Sequence, residues 1–488
     1  MSQNFLRIHL FKKFIFALLG GLFLLLIVVF FVHHFAHQRF RIACFPLFSS
    51  DRWLDITITD GINDLLQKAN STVCLDYPLD WTFDAIDRDS VSNLTYLKYY
   101  GKRIGLDVLV TEQVISKSDK NCVVVLKFYN LKKKEPLTLK LSDTLYFAHP
   151  DTFFKEIIHQ ALNSFSIKYD TLPPVFLPSP KVWKDYGSGR YYQLIDDFTS
   201  AEKAYRAGLA VDSTEFFLLR GLASVLLRKS FYLQSKGKYA DDTYIKTAEI
   251  INKTLEVDST DELTYCLLGQ LYIQRSMWNR AEKVLKKALQ LGKDDPFLYF
   301  YLTRLHSSRY RKMGFRNKET LLKKALKLNP AFERAWIALG DYYFFRNRIG
   351  NAEKTYKKLL EIHPSSLDGL LALGKLYFSR NDILNVIKVY KKVLTIKSDY
   401  PEAYYNLGIA YYNRGREEDA IRFFEKAIEL NNHVDSYFYL GLIYAKRGDK
   451  DKAVEFLRKR IHFRNKLNDP FAEEARKLLF KLLHNTGQ

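Results

Sequence analysis

Two hydrophobic periods divide the chain. Between residues 40 and 170, short apolar runs bounded by polar turns are typical of β-strands, and they alternate with stretches of helical spacing. From residue 182 to the end, apolar residues recur three and four positions apart, which is the spacing of amphipathic helices. The pattern therefore predicts a small α/β domain followed by a long all-α region.

The all-α region is built from a repeated unit, and residues 401–434 show it most clearly. They read PEAYYNLGIAYYNRGREEDAIRFFEKAIELNNHV, with Gly415 between two apolar-periodic runs. Small residues at Gly408, Ala420 and Ala427 allow two antiparallel helices to approach closely. Four larger side chains fill the seam between the helices: Tyr404, Leu407, Tyr411 and Phe424. The unit is predicted to be a pair of packed helices.

The same spacing recurs in register along residues 182–467. Four further units follow a 34-residue step: 262–295, 333–366, 367–400 and 434–467. Three units are less regular: 182–215, 216–261 and 296–332. The last of these has about three extra residues near Arg309–Arg316. The total is about eight units, and residues 468–488 are predicted to form a final helix that caps the exposed end.

These residues resemble the tetratricopeptide (TPR) repeat. The resemblance implies an all-α solenoid whose first helices line a concave groove, with binding residues at the second, fifth, sixth, ninth, twelfth and thirteenth positions of a repeat. It gives thirteen candidate partner-binding residues: Arg334, Asp341, Phe344, Phe345, Lys375, Phe378, Tyr405, Asn406, Tyr412, Asn413, Phe438, Tyr439 and Lys446. TPR proteins that clamp a C-terminal carboxylate use cations at set positions, and Asp435 and Tyr439 occupy two of these here.

Residues 40–170 predict the order β-α-β-α-β-β-β-α. The predicted strands are 41–48, 72–77, 107–112, 121–130 and 136–143, and the predicted helices are 58–69, 94–105 and 151–165. The segments IACFPL, Asp60–Leu65 and YGKRIGLDVLVTEQV resemble the N-terminal domain of TolB-like and FlgO-like proteins. The resemblance implies an extracytoplasmic accessory or sensory role. Residues 171–181 (TLPPVFLPSPK) predict a proline-rich linker.

A candidate membrane span precedes this domain. Phe14–Val32 contains 19 residues without a charge, about the length that crosses a hydrocarbon core of about 30 Å. Arg7, Lys12 and Lys13 slightly outnumber Arg39 and Arg41, which favours residues 1–13 as a short cytoplasmic tail. We therefore expect a single-pass protein of the bacterial inner membrane, with most of the chain extracytoplasmic.

Charge is concentrated in the repeat region. The formal net charge is +21, of which +18 lies in residues 181–488 and +3 in residues 1–180. A basic field attracts acidic proteins, anionic polymers or anionic lipid headgroups, although lysine and arginine also coat the solvent faces of many helices. The four cysteines have no metal-site spacing and are expected to be buried thiols, with a Cys44–Cys74 disulfide as an alternative in an oxidising compartment.

No catalytic constellation is visible in the sequence. It contains no Walker sequence, no G-x-S-x-G and no H-E-x-x-H, and the aspartates between Asp76 and Asp89 lack the spacing of a calcium loop. We expect no enzyme activity, no cofactor and no metal site. The leading hypothesis is a membrane-anchored TPR scaffold for a protein or peptide partner in the cell envelope. A small-molecule sensor and a binder of an anionic polymer are the alternatives, and nucleic acid is not the expected partner.

Overall fold

The computed structural model describes residues 40–46, 72–74, 101, 106–117, 121–131, 139–146, 150–164, 182–235, 241–292, 295–463 and 469–484. These residues fall into two compact units. One is a sheet with a helix, and the other is an array of helices from residue 182 onward.

The sheet has five strands: β1 (Phe40–Pro46), β2 (Thr72–Cys74), β3 (Val108–Lys117), β4 (Asn121–Asn130) and β5 (Leu139–Tyr146). Their order is β2-β1-β3-β4-β5. β1 runs parallel to both β2 and β3, whereas β3, β4 and β5 form an antiparallel meander. The parallel half fits the predicted β-α-β order, because parallel neighbours need a crossover connection.

Helix α1 (Pro150–Ser164) packs on this sheet through β5. Its Phe154 and Ile158 are fully buried, as are Val124 and Phe128 of β4. The predicted helices 58–69 and 94–105 and the linker 171–181 lie outside the described residues, apart from Gly101 in a helix. The small sheet is therefore confirmed, whereas the resemblance to TolB-like and FlgO-like domains stays a prediction.

Two cysteines are buried free thiols, Cys122 in β4 and Cys266 in the helical array. Burial raises the pKa of the Cys266 thiol well above its usual value, so this thiol stays protonated and inert. The pairing of β1 with β2 sets Ile42 opposite Cys74, two residues from Cys44. The Cys44–Cys74 disulfide stays a prediction.

The array contains eighteen helices in its described residues. The first ten are α2 (Trp183–Leu194), α3 (Phe198–Val211), α4 (Phe216–Ser235), α5 (Asp241–Val257), α6 (Glu262–Gln274), α7 (Trp278–Leu291), α8 (Pro296–Leu302), α9 (Ser307–Lys312), α10 (Lys318–Leu328) and α11 (Glu333–Phe345). The last eight are α12 (Ile349–Ile362), α13 (Leu367–Ser379), α14 (Ile383–Ile396), α15 (Pro401–Asn413), α16 (Glu417–Asn431), α17 (Val434–Lys446), α18 (Lys450–His462) and α19 (Pro470–His484). All of them except α9 and α19 form successive packed pairs, which confirms a helical solenoid.

Glycine on the first helix sets how closely each regular pair packs. A Cβ atom at Gly408 of α15 would lie 2.5 Å from Cε1 of Phe424 on α16, and one at Gly340 would lie 2.2 Å from Cε1 of Tyr356. Phe424 is fully buried, so its ring has little room to move. The seam residues identified in the sequence therefore hold the pair together.

The unit 296–332 departs from this pattern. Its first helix, α8, ends at Leu302 after seven residues, and the short helix α9 is inserted before α10. The residue after Leu302 is Thr303, which stands at the eighth position of the unit, where the regular units have glycine. A Cβ atom at this position would collide with the second helix of a regular pair, and α8 ends one residue before it.

The prediction of a single-pass protein of the inner membrane is contradicted by the structure. Among the described residues no helix is long and apolar enough to cross a bilayer. The longest of them, α4, has 20 residues but carries Arg220, Arg228 and Lys229, and charges of this kind oppose insertion into a hydrocarbon core. The stretch 14–32, for which the span was predicted, lies outside the described residues.

Candidate functional site

The first helices of the repeats line the inner side of the array. First helices of neighbouring repeats contact one another directly, as α4 does with α6 and α11 with α13. Each second helix packs instead between the first helix of its own repeat and that of the next, as α14 does between α13 and α15. The side where first helices meet is therefore the tighter, inner side of the curve.

Six aromatic residues form a continuous surface at the C-terminal end of this side, which we call the aromatic band: Tyr405, Tyr412, His433, Phe438, Tyr439 and Phe471. Tyr405 stacks on His433 with ring centroids 4.3 Å apart. Tyr439 lies 5.9 Å from both Tyr405 and Tyr412. Phe471 of α19 extends the band, at 5.3 Å from Phe438. All six side chains are half-buried, so each keeps part of its ring accessible.

The aromatic band is uncharged at neutral pH. Burial, followed by the neighbouring Tyr439 and Asp435, raises the pKa of the Tyr405 hydroxyl far above its usual value. Burial likewise raises the pKa of Tyr439 and lowers the pKa of His433, although Asp435 opposes the shift at His433. The band therefore presents neutral rings with hydroxyl and imidazole groups, a surface suited to apolar side chains and hydrogen bonds.

A second group of predicted residues lies on α11 and α13, in the repeats N-terminal to the aromatic band. The Arg334 guanidinium lies over the rings of Phe300 and Phe332, with its carbon 5.4 and 5.8 Å from their centroids. Phe345 is 82% exposed, the largest exposed fraction among the large apolar side chains described. Phe344 is half-buried against Phe345, and Lys375 is exposed with no hydrogen bond or ion pair to a described residue.

Several predicted groove residues are engaged within the protein instead. Asp341 accepts a hydrogen bond of 2.6 Å from the Tyr356 hydroxyl. Asn406 donates to the Glu402 carbonyl at 2.6 Å, and the Lys446 ammonium lies 2.7 Å from Glu417. Phe378 packs beside Tyr390, while Asn413 is exposed. Asp341 and Lys446 thus stabilise the array, and all thirteen positions remain predictions as partner contacts.

His433 and Phe471 belong to the aromatic band but were missed by the sequence reasoning. His433 lies in the connection before α17, and Phe471 lies in the first turn of α19, beyond the last repeat. A prediction that assigns the groove to fixed positions on first helices omits both. An aromatic residue in the first turn of the terminal helix was the available signal for Phe471.

Ion pairs connect neighbouring repeats along the array. The Glu353 carboxylate of α12 pairs with Arg380 at the end of α13 at 2.6 Å, and Glu417 of α16 pairs with Arg447 after α17 at 3.0 Å. Glu319 of α10 pairs with Arg348 at 3.1 Å. Hydrogen bonds from nearby lysines, chiefly Lys323 to Glu319 and Lys357 to Glu353, lower the pKa values of those carboxylates. Much of the charge of the repeats is thus paired internally.

The comparisons with known proteins agree with the repeat fold. Five stretches of the chain match models of the tetratricopeptide (TPR) repeat: 266–299, 333–376, 374–415, 401–433 and 435–459. The chain therefore contains TPR repeats. No curated protein matches it.

Solved structures with a similar fold include MamA, yeast Tom70 and a human IFIT1 dimer with PPP-AAAA. MamA is 24% identical, with 35% of this chain and 95% of MamA covered at a TM-score of 0.29. Tom70 is 15% identical, with 62% and 64% covered at a TM-score of 0.42. IFIT1 is 14% identical, with 64% and 79% covered at a TM-score of 0.41.

Proposed function

We propose that the protein is a non-enzymatic scaffold that binds a protein segment along the inner side of its TPR array. The observation that carries the proposal is the aromatic band, because six half-buried rings from two repeats and the terminal helix form one surface. Clustered aromatic anchors supply most of the energy in many protein interfaces. A scaffold needs such a surface on a rigid support, and stacked helix pairs provide one.

The chemistry of the surface defines the segment it suits. Neutral rings favour a peptide with apolar side chains, while tyrosine hydroxyls and the His433 imidazole can hydrogen-bond to its backbone. The exposed Lys375 and Arg334 lie on the preceding first helices, and the repeat region carries a net charge of +18. The proposed partner is therefore a protein segment with apolar anchors and acidic residues further along, held as an extended strand or a helix.

Site-specific photocrosslinking in the native cell tests this proposal. A photoreactive amino acid at Phe438 is expected to capture one defined partner, and Tyr405→Ala is expected to reduce that capture at least tenfold, since a truncated aromatic anchor typically costs 2 kcal/mol or more of binding energy. The matched control is a crosslinker at Leu384, which is 67% exposed on the second helix α14. Far-ultraviolet circular dichroism must show unchanged helix content in the variant.

Equal capture from Phe438 and Leu384 contradicts an inner-side interface. Unchanged capture after Tyr405→Ala, with helix content retained, contradicts the role of the aromatic band even if a partner is found.

A further inference from the structure

A basic cavity lies at the irregular repeat, away from the aromatic band. Its volume is about 540 Å³. Seven residues line it: Arg311, Gly314, Phe315, Arg316, Asn317, Tyr342 and Arg346. Three of them are arginines and none is a carboxylate, and the three arginines form no ion pair with any residue that the structure describes. The cavity thus concentrates three guanidinium charges without a counterion from its own lining.

Arg346 and Arg414 are the two arginines at their repeat position that form no ion pair with a described residue. Arginine occupies the fourteenth position of all five regular repeats. Arg275, Arg380 and Arg447 at this position each pair with a carboxylate of the preceding repeat. In the repeat that begins at residue 333, Arg348 takes the carboxylate of Glu319 instead. Arg346 is thereby released from the inter-repeat ion pair and faces the cavity.

The ring of Tyr342 supports Arg346 in this place. The guanidinium carbon lies 4.9 Å from the ring centroid, one helical turn away on α11. A guanidinium stacked on an aromatic ring keeps its edge N–H groups available for a planar oxyanion. Arg346 is therefore oriented for binding without being neutralised.

The turn between α9 and α10 forms another part of the lining, and internal contacts hold it in shape. Gly314 has a φ of +89°, and Phe315 donates its backbone N–H to the Tyr310 carbonyl at 3.1 Å. The Phe315 ring packs edge-on against Tyr299 at 5.9 Å. Asn317 then caps α10 by accepting from the Thr320 N–H at 2.9 Å. This turn carries Arg316, an exposed residue that lines the cavity together with Arg346.

We propose that this cavity binds the phosphate group of a small organic phosphate. Arginine forks match the geometry of phosphate oxygens and form charge-assisted hydrogen bonds with them. The volume exceeds what one phosphate group needs, so this solvent-open depression also has room for the organic part of the ligand. Phe315 and Tyr342 supply apolar surface for that part. The site shares no residue with the aromatic band and is independent of it.

Calorimetric titration of the full-length protein with phenyl phosphate, at 150 mM NaCl and pH 7.5, tests the proposal. The unmodified protein is expected to bind, and Arg346→Ala and Arg316→Ala are each expected to weaken binding at least tenfold because each loses a charge-assisted contact. Arg414→Ala is the matched control. Arg414 occupies the same fourteenth position, is exposed, and forms no ion pair to a described residue, but it lines no part of the cavity.

Four outcomes overturn the proposal. They are no heat of binding at millimolar phenyl phosphate, equal affinities for Arg346→Ala and Arg414→Ala, equal affinity for sodium sulfate, and binding only to vesicles that contain phosphatidic acid. The last two identify a general anion site and a lipid site respectively. Arg316→Ala guards against misfolding, because Arg316 is an exposed turn residue whose loss leaves the helix seams intact.

Discussion

The repeats at 401–434 and 296–332 pack their first and second helices together in different ways. In the first, Gly408 lets α15 run for 13 residues against α16. In the second, Thr303 stands at the glycine position, α8 ends after seven residues, and α9 fills the space before α10. In these two repeats, glycine at the seam position accompanies a plain helix pair, and threonine accompanies a shortened first helix with an added turn. The added turn is what forms the basic cavity.

The two repeats also divide their stabilising contacts differently. The regular repeat depends on a ring, Phe424, that is fully buried beside Gly408. The irregular repeat depends on a turn whose anchor, Phe315, is half-buried. The helix seams of the regular repeats should therefore determine the free energy of unfolding. The turn between α9 and α10 should determine ligand binding.

Removal of the Phe424 ring is expected to destabilise the protein most, and removal of the Phe315 ring much less. Phe424→Ala is expected to lower the free energy of unfolding by about 4 kcal/mol, since a fully buried phenyl ring leaves a cavity. Phe315→Ala is expected to cost only about 1 kcal/mol, the scale of an edge-on aromatic pair. Denaturant unfolding followed by circular dichroism at 222 nm measures both. Equal losses of unfolding free energy in the two variants would show that the turn is as important for stability as the helix seam. The two repeats would then not differ in this respect.

A medium effect is expected at Asp295, the N-cap of α8, whose counterpart in the repeat 401–434 is Tyr400. Burial raises its pKa to about 6, although the N–H groups of Phe297 and Leu298 oppose the shift. The folded state thus holds the proton more tightly than the unfolded state, so stability falls as pH rises from about 4 to about 6. Asp295→Asn keeps a capping oxygen and is expected to gain about 3 kcal/mol at pH 7 and little near pH 4.

Thermal unfolding of the Asp295→Asn variant and the unmodified protein across pH 4 to 7 checks this prediction. A gain of the same size at both ends of the range would show that packing, and not ionisation, changed. In the regular repeat the corresponding residue, Tyr400, makes no side-chain cap, so the effect should belong to the irregular repeat.

The mildest changes are expected at the turn glycines of the two repeats. Gly415 and Gly314 occupy turns of the two repeats with φ of +71° and +89°, and a Cβ atom at either would meet nothing within 4 Å. Alanine at either position should therefore cost only about 1 kcal/mol of backbone strain. Gly314→Ala should also weaken phenyl phosphate binding, because Gly314 lines the basic cavity, whereas Gly415→Ala should not. Matching affinities for the two variants would count against a preformed turn.

Sequence reasoning succeeded where the determining contacts are local or periodic. The seam residues of 401–434 lie within one repeat, so their spacing alone predicts the helix pair. Similarly, strand β4 coincides with the predicted 121–130, because its apolar run is bounded by polar residues at both ends. The extra residues near Arg309–Arg316 were also visible, as an interruption of the 34-residue step.

The parts that sequence did not reveal depend on competition between side chains from different repeats. Whether Glu319 pairs with Arg346 or with Arg348 is decided by how α10 and α11 pack, and this choice determines whether Arg346 faces the basic cavity. Asp341 and Lys446 were predicted for the groove from their positions, but Tyr356 and Glu417 engage them. The position of a residue in a repeat determines which way its side chain points. Neighbouring side chains determine whether that side chain is available to a partner.

The buried Arg460 has a consequence for where the protein can be shortened. Its side chain is 1% exposed, and one guanidinium nitrogen lies 2.8 Å from Asp435 of α17 and 2.7 Å from Asp469 before α19. Removing one partner of a buried ion pair typically costs 3–5 kcal/mol, because an uncompensated charge remains. A truncation after residue 463 removes Asp469 and leaves Arg460 with Asp435 as its remaining carboxylate among the described residues. The ion pair between Arg460 and Asp469 and the apolar face of α19 therefore both make α19 part of the folding unit.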